Sequence, residues 1–395
     1  MTTIYWIRHG EAEGNLFRRC HGNYNSRITE NGKRQLEKLA ERFAGVHLDA
    51  VYSSDLFRAW LTADSLARPR GLTVTVSKNL REINLGDWED KTWGEIMRTE
   101  PKLYNHFINE PWKFKKRGAE TLAQARIRAA AALRACAARH EVDGQGQVIA
   151  VVSHGAVTRA LMTHLQQMPP EQMSAVAHGD NTCVTKLTYD CGLFDLKYYA
   201  DNSHLGELST LGRQSWWRRN GSGNPDAAMW FRPVNVRREA RLFEGFRRDA
   251  WQAIYGNLEN YNGDVFIEEA KYLISKDKKS VVFAMSGERP VGLLELEVES
   301  PLVYDAGHIG FFYLIPELRG KGLGVQLLGQ AVSVCRAEGD RELTLRVFEG
   351  NYPARRFYEK QGFTRFGDEP AFNGRLIHYA VDIDIPTLRP AFPWR

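Results

Sequence analysis

The chain has 395 residues, 43% of them apolar, and a formal charge of +5. This length and composition fit a globular chain of two domains, and neither half is basic enough to argue for nucleic acid. No apolar run approaches a membrane span, the opening residues lack a signal-peptide pattern, and five cysteines (Cys20, Cys136, Cys183, Cys191, Cys335) show no CxxC spacing. The sequence therefore predicts reduced thiols, no zinc site, no membrane partner and a cytoplasmic location.

In chain order, Ile4-Tyr5-Trp6-Ile7 predicts a buried strand that breaks at Arg8-His9-Gly10-Glu11. In open α/β sheets reactive groups sit at the carboxyl ends of strands, which is where His9 falls. Gly10 removes a side chain where a ligand or the backbone comes close. Leu36, Leu39, Ala40 and Phe43 recur at helical spacing within 29–43. A strand at Ala50-Val51-Tyr52 leads into Ser53–Ala59, placing Arg58 in the first turn of a helix. Residues 80–90 form a loop-like stretch carrying Glu82, with Asp87 and Glu89 close by. Lys113, Lys115, Lys116 and Arg117 form a charge run ahead of Gly118, read first as a solvated face and second as a contact for an acidic substrate. An Ala-rich helix covers 121–139, and Val148–Val152 predicts another buried strand, ending in Ser153-His154-Gly155.

Two apolar strands that each deliver a His-Gly can aim two imidazoles at one point. The alternation of strands and helices predicts a largely parallel sheet with helices on both faces. Arg, His, Arg, Glu and His make a phosphoryl-transfer set. An imidazole attacks phosphorus, guanidiniums match phosphate oxygens, and a carboxylic acid protonates the departing oxygen. The scheme needs no metal.

On these segments, residues 1–205 resemble the histidine phosphatase superfamily, its phosphoglycerate mutase-like group. Gly118-Ala119-Glu120-Thr121 is similar to that family's GES segment, with Ala and Thr as departures, and Asp201–Leu205 is similar to its tail motif. The resemblance implies a three-layer α/β/α domain, with His9 as nucleophile, Glu82 as acid and His154 as a further catalytic group. It also implies that Arg8, Asn15, Arg58 and His154 hold the phosphate of a small metabolite, and that the segment between Trp88 and Gly118 caps the site. Hydrolysis is the expected reaction, with mutase-type phosphotransfer as the alternative. Glu11 is read as a supporting residue.

Residues 206–233 read as a linker, turn-rich at 218–225, between domains 1–205 and 234–395. Beyond it, a strand runs into Pro316, and Arg319-Gly320-Lys321-Gly322-Leu323-Gly324 opens a helix. Backbone N–H groups at a helix start bind phosphate without any side chain, yet neither the Walker nor the GxGxxG pattern is met. The loop is similar to the RxxGxG loop of GNAT-type acetyltransferases, and 351–363 to a later motif of that family. The resemblance covers 234–384. It implies a GNAT α/β domain, acetyl-CoA held by Leu314, Arg319, Gly320, Gly322, Gly324 and Asn351, and Tyr358 protonating the departing thiolate. The acceptor would be a small or protein-borne amine. Glu295, Glu297 and Glu299 alternate with apolar residues and read as a solvent face, with an anionic wall for an amine as the alternative. His308 is a further base candidate. A catalytically silent binding module remains the alternative for either domain, more so for the second.

Overall fold

The computed structural model describes residues 1–142, 145–214, 228–297, 305–371 and 373–386. They fall into two compact units. No helix among the described residues is long and apolar enough to cross a membrane.

The first unit is built on β1 (Thr2–Arg8), α1 (Glu30–Arg42), β2 (Ala50–Ser53), α2 (Phe57–Ala67), β3 (Val74–Val76), α3 (Leu122–Ala138), β4 (Val148–Ser153), α4 (Gly155–Leu165), β5 (Val184–Asp190) and β6 (Leu193–Asp201). The six strands lie in the order β3-β2-β4-β1-β5-β6. The first four run parallel, and β5 and β6 extend the sheet antiparallel. Alternation along β1 decides the two faces. Ile4 and Trp6 pack with Ala129, Leu133 and Leu161 from α3 and α4, whereas Ile7 packs with Leu39, Phe43, Ala63 and Leu66 from α1 and α2. Helices thus cover both faces of the sheet. Thr121 caps α3 by accepting the Gln124 N–H, and Gln124 reciprocates on the Thr121 N–H at 2.8 Å. The Thr that replaces Ser in the GES segment thus caps a helix, as Ser also can.

Both ends of the expected linker belong to folded units. Ser209 and Thr210 donate their hydroxyls to Asp180 at 2.6 and 2.9 Å, and Gln35 donates to the Leu208 carbonyl at 2.9 Å. Trp230–Pro233 is an edge strand of the second sheet. The turn-rich stretch 218–225 lies outside the described residues.

The second unit comprises β7 (Trp230–Pro233), α5 (Val236–Tyr255), α6 (Gly263–Lys276), β8 (Val281–Ser286), β9 (Arg289–Glu297), β10 (Ala306–Leu314), α7 (Gly324–Glu338), β11 (Glu342–Phe348), α8 (Tyr352–Lys360), β12 (Thr364–Ala371) and β13 (Gly374–Asp382). Its seven strands lie in the order β12-β13-β11-β10-β9-β8-β7. Strands β10 and β11 form a parallel pair from Ala306↔Glu342 to Ile309↔Leu345, after which they no longer pair with each other, β10 running on to Leu314 beside β9 and β11 to Phe348 beside β13. Phe243, Phe246, Ala270 and Leu273 of α5 and α6 close one face of the sheet with Phe283, Leu293 and Tyr313.

That packing corrects the expected solvent-facing row of glutamates. Strand β9 is irregular between Glu295 and Leu296, and Leu294, Glu295 and Leu296 are all buried. The Glu295 carboxylate accepts both Nε (2.8 Å) and Nη2 of Arg247, whose guanidinium lies 4.5 and 4.1 Å from the ring centres of Phe266 and Phe311. Helix α5 brings that cation to the strand face, so the carboxylate is paired inside rather than hydrated. Burial pushes its carboxyl up to about 7, with Arg247 opposing. Glu297 is half-buried, and Glu299 lies outside the described residues.

Candidate active site

Strands β1 and β4 run parallel in register, with Arg8 opposite Ser153, so the residues that follow them, His9 and His154, leave the sheet side by side. Their ring centres lie 5.0 Å apart at 60°. The His9 N–H donates to the Ser153 carbonyl at 3.0 Å, tying the two strand ends together. The Nδ1 of His9 lies 2.7 Å from the Gly10 carbonyl oxygen, which can only accept. The proton therefore sits on Nδ1, and Nε2 carries the lone pair. Burial, helped by Arg58 and Arg8, holds this imidazole well below its ordinary 6.5, in the neutral form a nucleophile needs.

His154 caps the start of α4 and is fully buried. Neither of its ring nitrogens has a hydrogen-bond partner among the described residues. Buried polar atoms are ordinarily satisfied, and a phosphate oxygen beside His9 would supply such a partner. Burial, then Arg58 and His9, keep this ring neutral as well.

Arg58 lies in the first turn of α2, buried, donating to the Tyr24 and Gly22 carbonyls at 2.9 and 2.7 Å. Burial lowers its pKa to about 10, which leaves it charged at neutral pH. Arg8 donates to the Gly179 carbonyl at 2.7 Å. A Cβ on Gly155 would stand 3.2 Å from the Arg8 Nε, so the second His-Gly makes room for a guanidinium. At Gly10 a Cβ would fall 2.4 Å from Leu36 Cδ1, so the first His-Gly makes room for α1. Glu11 is buried and accepts the Thr29 hydroxyl at 2.9 Å.

Glu82 reaches across to the second histidine's helix. Its Oε2 accepts the Ala156 N–H at 3.0 Å and its Oε1 that of Val157 at 2.8 Å, both in the first turn of α4. Asn15 accepts the Ala12 N–H at 3.1 Å and so shapes the start of helix Glu13–Phe17. In the charge run, Lys116 is drawn inward to Asp87 (2.8 Å) and Glu100 (2.9 Å), and Lys113 pairs with Glu110. Those two lysines hold the segment between Trp88 and Gly118 together.

Sequence reading missed Asn181 and Thr182. Asn181 donates Nδ2 to the His9 carbonyl at 2.9 Å, and the Thr182 N–H is shared between the carbonyls of Arg8 (3.0 Å) and His9 (3.3 Å). The available signal was the Gly179-Asp180-Asn181-Thr182 turn composition ahead of a strand.

In the second unit, Gly320 and Gly322 adopt φ of +72° and +70°, which demands glycine although a Cβ there would meet no protein atom within 4 Å. Leu323 precedes α7 and has no side-chain acceptor, and the Gln326 N–H turns back to the Leu323 carbonyl at 3.0 Å, so the N–H groups of Gly324 and Val325 are the ones this helix start offers to an anion. The loop fits a diphosphate by its backbone. Arg319 turns elsewhere: it donates to the Leu314 carbonyl at 2.8 Å and to Asp249 at 3.1 Å, over the ring of Tyr313. Asn351 accepts the Ala354 N–H at 3.3 Å and caps α8. A Cβ on Gly324 would stand 3.4 Å from Phe357, which with Phe312 and Phe363 surrounds Tyr358. Burial pushes the Tyr358 hydroxyl above its ordinary range, so it stays protonated. His308 is a buried structural residue, its Nδ1 donating at 2.8 Å to Thr344, whose hydroxyl donates to Gly307.

Residues 4–202 match the histidine phosphatase superfamily (branch 1), and the chain belongs to it. Residues 243–363 match the acetyltransferase (GNAT) family, making the second unit a GNAT domain, for which acyl-CoA use is implied. Among relatives, phosphoserine phosphatase 1 of Hydrogenobacter thermophilus is 33% identical over 161 residues, spanning 41% of this chain and 74% of that protein. Phosphoglycerate mutase-like protein 4 of Arabidopsis thaliana is 30% identical over 211 residues, 53% of this chain and 89% of that one. Among solved structures, YhfR of Bacillus stearothermophilus superposes with a TM-score of 0.50 at 33% identity, over 52% of this chain and 99% of its own.

Proposed function

We propose that the first domain hydrolyses a small phosphomonoester through a phosphohistidine at His9. The observation that carries this is the committed Nδ1 of His9, which leaves a neutral, buried Nε2 on a ring that lies beside His154 and feels the charges of Arg58 and Arg8. In the first step the Nε2 lone pair bonds to phosphorus as the ester P–O bond breaks, and Glu82 gives its proton to the leaving alkoxide. In the second step Glu82 takes a proton from water, the water oxygen bonds to phosphorus, and the P–N bond breaks. Arg8, Arg58 and His154 hold the equatorial oxygens, where charge is concentrated. The relative named for phosphoserine supports a phosphorylated amino or hydroxy acid as substrate. Phosphate release from phosphoserine, 3-phosphoglycerate and p-nitrophenyl phosphate, with trapping of an acid-labile phosphoenzyme, tests this. Release from none of them and no phosphoenzyme would overturn it.

For the GNAT domain we propose acetyl transfer to an amine. Acetyl-CoA supplies the activated thioester, the N–H groups of 320–324 would hold its diphosphate, and Tyr358 would hold a proton for the departing sulfur. Calorimetry of the full chain with acetyl-CoA tests the binding step.

A further inference from the structure

The tail motif Asp201–Leu205 takes no part in the chemistry above, yet it reaches the back of the nucleophile. His204 Nε2 lies 3.1 Å from the Thr182 hydroxyl, and His204 Nδ1 lies 3.1 Å from Arg42 Nη1. The direction of these bonds follows from the partners. Thr182 Oγ1 donates to the Asn181 carbonyl at 2.7 Å, so it must accept from His204 Nε2–H. That leaves His204 Nδ1 to accept from Arg42, which Asp201 anchors at 2.6 Å. Burial and Arg42 lower the His204 pKa to about 4, so the ring is neutral and offers one donor and one acceptor, as the chain of bonds needs.

Thr182 itself is buried at φ +57°, a left-handed backbone that a β-branched residue rarely adopts. Such strain persists where surrounding bonds over-determine it, and functional sites are where it gathers. Here the strained turn points the Thr182 N–H at the carbonyls of Arg8 and His9 and the Asn181 side chain at that of His9, whose own N–H is held on Ser153. We propose that Thr182, locked by His204 and Arg42, is a positioning residue that fixes the main chain of His9 and thereby aims its imidazole. This rests on the reading of His9 as the nucleophile.

Full-length Thr182→Val keeps the branched shape and removes the hydroxyl, Thr182→Ser keeps the hydroxyl, and His204→Ala cuts the far end. On p-nitrophenyl phosphate, Thr182→Val and His204→Ala should lower kcat by roughly tenfold or more with KM within about twofold, and Thr182→Ser should recover most of it. Histidine NMR supplies the second readout: the His9 ring resonances, assigned by loss in His9→Ala, should move in Thr182→Val and His204→Ala but not in Thr182→Ser. If Thr182→Val does not fold, His204→Ala decides on both readouts. Unchanged kcat and unmoved His9 resonances would overturn the proposal, as would equal loss in the Ser and Val variants. Should the wild type hydrolyse no phosphomonoester, the nucleophile reading falls, and the His9 resonances alone decide whether Thr182 positions that ring.

Discussion

The Glu82 carboxylate accepts the backbone N–H of Val157 at 2.8 Å, in the helix that His154 begins. Glu82 and His154 are thereby carried on one rigid piece, though they stand 72 positions apart in sequence. Glu82→Gln keeps one acceptor oxygen and loses the transferable proton. Turnover of phosphoserine should fall by roughly 10²–10⁴-fold, while p-nitrophenyl phosphate, whose leaving group needs little proton help, should suffer less. Equal loss on both substrates would make Glu82 a structural strut.

His9→Ala should abolish the acid-labile phosphoenzyme, because on the proposed reading His9, whose Nδ1–H is held by the Gly10 carbonyl, is the imidazole with Nε2 left to attack. Turnover within tenfold of wild type would reassign the nucleophile.

The two site histidines also set a pH dependence of stability. Both are held well below 6.5 in the folded chain, so below that pH the unfolded chain binds protons that the folded one refuses. Stability is present above about pH 6.5 and is lost as pH falls through the depressed folded values. The thermal midpoint should drop between pH 7 and pH 5, and His154→Asn should flatten that slope. An unchanged slope in the variant would contradict the burial argument.

Much of the first site was legible, because strands advertise their ends: an apolar run that stops at His-Gly fixes where an imidazole leaves the sheet. Glu82 was legible as a loop carboxylate, but its seat on the α4 N-terminus is made by residues 74 and 75 positions away. Thr182 was not legible, since nothing in its neighbours marks a left-handed φ on a β-branched residue. Glu295 misled for a similar reason. Alternation assigns a carboxylate to solvent, and only the arrival of Arg247 from α5 makes its burial affordable.

That buried pair yields a further prediction. Arg247→Ala should leave Glu295 buried without a partner and destabilise the second unit by about 3–5 kcal/mol, whereas Arg247→Met with Glu295→Leu should come out near neutral. Denaturant unfolding of the full chain, followed by a GNAT-domain probe, would show it; equal destabilisation by the single and double changes would refute it.

Gly322→Val should weaken acetyl-CoA binding by roughly tenfold or more, through strain at φ +70° and bulk in the loop, while phosphate release stays unchanged. Calorimetry against acetyl-CoA reads the first effect. Unaltered affinity would leave the diphosphate contact elsewhere.

The place of β1 at the middle of its sheet has a consequence for synthesis. Its two neighbours are β4, which begins at Val148, and β5, which begins at Val184. A nascent chain therefore carries Ile4, Trp6 and Ile7 without a pairing strand until those late segments leave the ribosome. The strand that ends at His9 is translated early and completed late, so the histidine phosphatase fold closes as one long-range event. The second sheet draws on strands from Trp230 onward, so its translation can follow that closure. Folding in the order of synthesis would close the first sheet before the second exists, and ribosome-bound chains halted between the two would already hold a finished His9–His154 pair.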